Sequence, residues 1–478
     1  MNHKVKSGNF NSIRGASGIA CIAIWALLSA TATQANPDTV NLLDIQTAVH
    51  VAQINDPWLV RNKHAQDSIE SMSIASGTMP DPKVSLALAN LPTDTFDFDQ
   101  EAMTQLKVGV TQMIPRGDTL DIKQRQLEVF STQFPHQRQD RKATVAVMVS
   151  RLWLDAYKAQ ESISLIQKDR PLFEQLADVA EASYSAALGK TRQQDIIRAQ
   201  LELTRLDDRL TRLRQKQDMA MEGLAGWLND NFAQHYLSSN TDNLLVSTGP
   251  VLMLDNTPPN TRMLNKKLFT SLSENDPQEL YTYFSKHPAV LNLDQKIKAT
   301  DLGVDLAKQN YKPEWGVNAS YGYRDDAQNG NNRADFLSVG VTFDVPLFTK
   351  NRQDKQLDSA KSKALSIGTE KWLLLRKMIA DFEKLRVQLL RLNERETLYM
   401  QNLLPQMHEQ AEASLTAYTN DDGDFAEVVR SRIAELNAQI DALNIRVEQQ
   451  KTIVQLNYYF MKDPAEIINN DTTGGDER

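Results

Sequence analysis

The feature that most constrains this chain is an internal repeat at a shift of 231 residues. Asn55-Asp56-Pro57 returns as Lys286-His287-Pro288, and Pro82 returns as Pro313. At the same shift Val108-Gly109-Val110-Thr111 becomes Val339-Gly340-Val341-Thr342, Pro115 becomes Pro346, and Ala182-Ser183 becomes Ala413-Ser414. Landmarks held in one register over so long a stretch mark a tandem duplication, so the 478 residues are organised as two copies of one unit. Each copy reads as a helix ended near a proline, two short alternating segments and a long helical hairpin.

The alternating segments have period two. In the first copy Val84, Leu86 and Leu88 alternate with Ser85, Ala87 and Ala89, and Leu106, Val108 and Val110 with Lys107, Gly109 and Thr111. In the second, Trp315, Val317, Ala319, Tyr321 and Tyr323 alternate with small or polar residues, as do Leu337, Val339, Val341 and Phe343. One apolar face and one small or polar face suits an ordinary amphipathic hairpin on a soluble core as well as a transmembrane β-barrel stave. The length, near the roughly 9–11 residues a stave needs, and the aromatics Trp315, Tyr321, Tyr323 and Phe343 near the ends favour the stave. The expected lipid-facing set is therefore Val84, Leu86, Leu106, Val108, Val110, Trp315, Val317, Leu337, Val339, Val341 and Phe343. Four strands cannot close a barrel, and open edges are not tolerated in lipid. Three copies would supply twelve.

The remaining pattern is heptad. Val145, Val149, Leu152, Ala156, Ala159, Ile163 and Ile166 are spaced by fours and threes, as are Ala199, Leu203, Leu206, Leu210 and Leu213. The second copy offers Leu375, Met378, Phe382, Leu385, Leu389 and Leu392, then Ile433, Leu436, Ile440, Leu443 and Val447. A continuous helix from near Asp118 to near Ala187 would be roughly 100 Å long, with Pro171 and Pro405 expected to kink or interrupt their helices. The hairpin turns fall at Ala187–Arg192 and Asn420–Phe425.

The start of the chain reads as an export signal. Lys4, Lys6 and Arg14 precede the apolar run Gly15–Leu28, and Ala30, Ala32 and Ala35 offer cleavage sites. Cys21 is the only cysteine and lies before the end of that run, so a mature chain would have neither disulfides nor thiol chemistry. A net charge of −8 argues against general nucleic-acid binding. The expected layout is a signal peptide at 1–35 and a first repeat at 36–231, with a β-hairpin at 83–114 and a helical hairpin at 118–230. An irregular linker at 232–276 precedes a second repeat at 277–462, with a β-hairpin at 314–345 and a helical hairpin at 352–461. A tail covers 463–478.

With these residues in place, the chain resembles the TolC-like outer-membrane efflux proteins. The resemblance rests on the duplicated plan, on Pro80-Asp81-Pro82 and on the two turns with a glycine before an acidic and apolar run. It covers nearly the whole mature chain. The stretch from Asn90-Leu91-Pro92 to Val108-Gly109-Val110-Thr111-Gln112 is similar to the heavy-metal branch, although Arg116-Gly117-Asp118 departs from the glycine-glycine-lysine pattern of that branch. The resemblance implies a mainly α fold with a small β part. Tandem helical hairpins would form a trimeric α-barrel tunnel, and four strands per chain would enter a 12-stranded transmembrane β-barrel. It further implies a passive exit duct in the outer membrane of a Gram-negative cell. The partners would be a periplasmic adaptor and an inner-membrane pump of the resistance-nodulation-division type.

Candidate site residues follow. Asp421, Asp422 and Asp424 could form a ring of carboxylates at the narrow mouth of a trimer, attracting cations or binding a divalent ion, although aspartate also serves turns for local reasons. Leu188, Gly189, Gly423 and Phe425 are candidate adaptor contacts. The histidines show no metal-ligand spacing, and Met72, Met79, Met103 and Met113 read as packing residues. No nucleophile constellation, phosphate loop or cofactor motif is present, so no enzyme activity, cofactor or metal site is expected. A periplasmic adaptor would carry one helical hairpin and no paired barrel hairpins. A soluble coiled-coil protein would have strands that do not favour lipid.

Overall fold

The computed structural model describes residues 42–185, 192–228, 253–255, 257–259, 261–264, 277–420 and 423–461. The signal peptide, most of the linker, the tail, and the turn residues Leu188, Gly189, Asp421 and Asp422 lie outside the described residues.

The first half runs β1 (Leu42–Leu43), α1 (Ile45–Ile54), α2 (Pro57–Gly77), β2 (Lys83–Ala89), β3 (Gln105–Ile114), α3 (Thr119–Ser131), α4 (Gln133–Ser185) and α5 (Gln193–Leu228). After β4 (Met253–Leu254), the second half runs α6 (Pro277–Phe284), α7 (Pro288–Gln309), β5 (Trp315–Tyr323), β6 (Phe336–Phe343) and α8 (Gln353–Leu398). A π-helical turn (Tyr399–Leu403), α9 (Leu404–Thr419) and α10 (Phe425–Tyr459) complete it. Helices α2 and α7 both begin on a proline, 231 residues apart, where the missing N–H costs nothing. Their caps differ. The Asp56 carboxylate accepts from Trp58 N and pairs with Arg141 at 2.7 Å. At the equivalent position His287 Nδ1 accepts from Ala289 N, which leaves Nε2–H to donate to Tyr458 O at 3.0 Å.

The core is strung along the helices rather than gathered at one centre. In the second repeat Phe284, Phe382, Tyr459 and Phe460 interlock ring against ring, with Leu375, Met378 and Leu456 around them. A second cluster centres on Trp153, which stacks on Tyr157 and donates its indole N–H to Leu43 O at 2.8 Å. Further along, Ile163, Ile166, Leu206, Leu210, Leu436 and Ile440 meet, and at the tip Leu176, Ala180, Ala199, Val428 and Val429 do. The heptad positions are the buried ones: all six named on α8 lie at 8% exposure or less, while Leu152, Leu203, Leu213, Ile433 and Leu443 are half-buried flanks.

Two expectations need correction, and the two prolines expected to kink or interrupt their helices behave differently. The helix from Asp118 is not continuous: it breaks at Thr132 because Pro135, in the first turn of α4, has no N–H to give to Ser131 O. Pro171 does not interrupt α4, which runs through it for 53 residues, roughly 80 Å. Pro405 does interrupt its helix. The five residues Tyr399–Leu403 widen into a π turn, with Leu404 N donating to Tyr399 O, so the ring avoids the carbonyl it would otherwise strike. The linker is also not wholly irregular. Met253–Leu254 pairs in parallel with Leu42–Leu43, and Thr261 N donates to Gln450 Oε1 at 2.7 Å.

Burial, by stripping water from the charged form, holds the His287 imidazole below its ordinary value near 6.5, and the neutral ring leaves Nδ1 bare to accept at the cap. An unfolded chain would take up that proton first as pH falls below about 6.5. The contribution of this cap is therefore complete above that pH and declines below it. Unfolding temperature measured between pH 7.5 and 5 should fall more steeply for the wild type than for His287→Asp, which keeps an N-cap acceptor without the imidazole.

Candidate functional site

The sheet is built from both halves. Its order is β2-β3-β5-β6, all antiparallel, with β3 and β5 joining the two repeats through nine residue pairs from Leu106↔Tyr323 to Ile114↔Trp315. Residues directly opposite on an antiparallel pair share a face. The register Leu86↔Val108↔Tyr321↔Leu337 thus forms one row, and Val84↔Val110↔Ala319↔Val339 the next. All eleven residues expected to face lipid fall on this face, at exposures from 39% (Leu106) to 76% (Leu337). Leu88, Ile114, Tyr321 and Tyr323 join them. The one polar member is Gln112, whose amide turns back to donate to Pro80 O and Met113 O.

The opposite face is mostly small or polar, with Ser85, Lys107, Gly109, Thr111, Asn318, Ser320, Ser338, Gly340 and Thr342, and also carries Ala87, Met113 and Phe336. Its glycines relieve crowding. A Cβ at Gly109 would lie 2.8 Å from Ser85 Oγ, and one at Gly316 would lie 2.6 Å from Thr342 Oγ1.

Aromatic pairs mark both ends of the apolar face. Trp315 and Phe343 lie 4.9 Å apart at the helical end, and Tyr323 stacks on Phe98 at 6.3 Å at the loop end. The eight steps from Trp315 to Tyr323 span roughly 26 Å at ~3.3 Å each, close to the ~25 Å apolar band of outer-membrane barrels. Strands β3 and β5 reach the expected length, with 10 and 9 residues. The outer strands β2 and β6 are shorter, with 7 and 8, since each has a single partner among the described residues. Those two edges leave a row of backbone donors and acceptors unpaired in one copy.

Beyond the strands, two arginines tie the polar loops together. Arg324 donates to Ala102 O and Ala334 O and lies over the Phe336 ring, and Arg333 reaches Asp99 O and Glu101 O. At the helical end Arg116 joins the repeats, donating to Lys312 O and pairing with Asp344, while Lys312 pairs with Asp118 at 2.9 Å. These clamps carry no periodic signal in sequence; the one trace of them is the departure at Arg116-Gly117-Asp118.

At the hairpin tip the described candidates separate. Asp424 is exposed and caps α10 through Ala426 N at 3.2 Å. Gly423 is fixed by space, because a Cβ there would meet Tyr418 N at 2.6 Å. Phe425, expected as an adaptor contact, is 2% exposed. Its ring packs edge-on to Tyr418 at 5.7 Å, inside the tip cluster, so it is an interior group. Met72, Met79 and Met103, expected to pack, are instead about half exposed, because their helix and loop faces have no neighbour in one copy. Among the described residues no three histidine, cysteine or acidic side chains are grouped to hold a metal, and no helix is long and apolar enough to cross a membrane.

Solved structures share this arrangement. The outer-membrane channel OprN superposes with a TM-score of 0.67 at 13% identity, over 88% of this chain and 90% of that one. CusC, whose crystal structures concern folding and transmembrane channel formation, gives 0.65 at 11%, over 88% and 92%. The Campylobacter jejuni outer-membrane channel CmeC gives 0.65 at 11%, over 90% of both chains. The fold is TolC-like. No protein-family model and no curated protein matches the chain. CusC is one neighbour among several with nearly equal scores, so the similarity does not single out a heavy-metal branch.

Two neighbouring residues on β6 test the faces. If this face meets lipid in an oligomer, Val339→Arg should cost about 2–4 kcal/mol in a bilayer and reduce heat-resistant oligomer on unboiled gels, whereas Ser338→Arg should leave assembly intact. At the tip, Asp424→Ala should remove a cap worth ~1 kcal/mol, while Asp424→Asn keeps it; hydrogen exchange at the start of α10 reads the difference.

Proposed function

We propose that this chain is the outer-membrane exit duct of a tripartite efflux system. In this reading three copies close a 12-stranded barrel in the outer membrane of a Gram-negative cell and extend a helical tunnel into the periplasm. A periplasmic adaptor and an inner-membrane pump, of the resistance-nodulation-division type, deliver cargo to the tunnel and supply the energy. The chain itself provides a passive conduit.

The observation that carries this reading is the exposed apolar sheet face, bounded by two unpaired edges and backed by a small polar face. Lipid is the solvent that tolerates the first. Closure with further copies satisfies the second. The polar face then lines the lumen. Support also comes from the neighbours, which include the Neisseria gonorrhoeae outer-membrane channel MtrE in its open state, at a TM-score of 0.62 and 11% identity over 87% of this chain and 88% of that one.

Fractionation and native mass in mild detergent test the assembly. A trimer recovered from outer membrane is expected. A soluble monomer would sink the proposal, because the apolar face would then be open to water.

We assign the mouth to the turn that carries Asp421, Asp422 and Asp424, and adaptor contact to Leu188, Gly189 and Gly423. Three carboxylates per chain would make a ring that favours cations. The triple substitution to Asn should lower cation preference and divalent block in planar-bilayer recordings, while the cap at α10 survives. Unchanged selectivity would remove the gate assignment and leave these residues as turn formers. Whether the cargo is a heavy-metal cation is a separate proposal, tested by metal sensitivity of cells lacking the channel.

A further inference from the structure

The segment that leaves β6 for α8 is Asp344-Val345-Pro346-Leu347-Phe348-Thr349-Lys350-Asn351-Arg352. Its two central side chains are strongly exposed, Leu347 at 73% and Phe348 at 90%, the latter the highest value among the large exposed apolar residues described. The turn that presents them is fixed by backbone bonds. Leu347 N donates to Val345 O at 2.9 Å, and Thr349 O accepts from Arg352 N at 3.1 Å and Asp354 N at 3.0 Å. Two and four residues past Phe348 come Lys350 and Arg352. Both are exposed, and neither has a carboxylate within ion-pair distance among the described residues. The neighbouring Lys355 is paired with Asp358.

Comparison with the first repeat shows that the turn itself does not require these residues. At the same repeat position stand Pro115-Arg116-Gly117-Asp118, where the apolar pair is replaced by an arginine and a glycine. That arginine is drawn inward to Asp344 and Lys312 O, and Gly117 adopts φ +46° against Lys312. One repeat therefore uses the junction to clamp the two halves, and the other exposes an aromatic wedge followed by unpaired cations.

We propose that Leu347 and Phe348, with Lys350 and Arg352, form a binding site for anionic phospholipid at the periplasmic boundary of the membrane. The inference rests on the membrane reading above and extends it to a lipid class. The exposed apolar pair follows β6 four and five residues after Phe343, at the end of the sheet marked by Trp315 and Phe343, and an aromatic side chain gains most at the boundary between acyl chains and headgroups. The two cations then stand at headgroup level, facing the polar side of that boundary, and attract a phosphodiester by charge. The same chemistry could not serve a zwitterionic lipid equally, since its headgroup carries its own counter-charge.

The test uses the full chain in vesicles of phosphatidylethanolamine with either phosphatidylglycerol or phosphatidylcholine. A nitroxide is placed at Phe348→Cys in a Cys21→Ser background, and a second at Val339→Cys. In phosphatidylglycerol vesicles both labels should collide with oxygen in preference to a water-soluble nickel chelate, with the 348 label shallower than the 339 label. Native mass spectrometry should show retained phosphatidylglycerol, and K350Q/R352Q should lower that retention roughly 30-fold, at ~1 kcal/mol per charge near the surface. A 348 label open to nickel while the 339 label is lipid-exposed overturns this site and leaves the channel reading standing. A 348 label shielded from both reagents overturns it in favour of burial between copies. Unchanged lipid retention in K350Q/R352Q also overturns it. A 339 label open to nickel instead removes the membrane reading on which the site depends.

Discussion

The pairing of β3 with β5 is the interaction on which the rest of the structure depends. It joins the two repeats edge to edge over nine residue pairs, and its register puts the apolar residues of both hairpins on one face. A slip of one residue would turn one hairpin over and set Lys107 and Gly109 among tyrosines and valines. Because β3 and β5 are antiparallel neighbours, the helices that enter and leave both hairpins depart from the same end of the sheet. That placement lets Arg116 bridge to Asp344 and Lys312, and it lets α3 lie along α7, with Gln126 Nε2 donating to Ala299 O at 3.1 Å.

From that end the helices carry a core in stages, and the stages differ in kind. In the second repeat the contacts are aromatic and tight, with Phe284, Phe382 and Tyr459 within about a ring's width of one another. Toward the tip small aliphatic residues join in, Ala180, Ala199 and Val428, around the one ring pair of Phe425 and Tyr418. The π turn at Tyr399–Leu403 falls between these regions, and α9 therefore sets off in a new register toward α10. Arg432 then ties the two helices, donating to Glu412 on α9 at 2.6 Å and to Glu435 on its own helix at 2.9 Å.

Much of this was legible in sequence because it is periodic. Alternation gave the four strands and the apolar face residue by residue, since the pairing register puts all eleven nominated residues on one face of the sheet. Spacing by threes and fours gave the seams of α4, α5, α8 and α10. What was not legible is local or long-range. The break at Thr132 comes from Pro135, which hides at the start of a helix that the pattern carries straight through. Pro171 and Pro405 look alike in sequence, yet one is absorbed and the other produces a π turn. The two-residue ladder between Leu42–Leu43 and Met253–Leu254 is too short to have a period. Phe425 follows an acidic turn and reads as surface, but Tyr418, packed against its ring from across the turn, makes it interior.

Duplication supplies the last step. Two copies of one unit within a chain begin with equal surfaces, and a closed ring of three chains would present each junction as an alternating pair. Equal positions have since been given unlike chemistry. At the helix start before the shared proline, Asp56 holds a charge paired with Arg141, where His287 holds a neutral ring against Tyr458 O. At the strand exit, Arg116 and Gly117 fold inward where Leu347 and Phe348 stand outward. The shift of 231 residues preserves the order of elements in both halves, while the local backbone changes with the residues: Gly117 sits at φ +46°, and Phe348 has no positive φ. These exchanges let one repeat fasten the molecule to itself and leave the other's side chains open to what surrounds them.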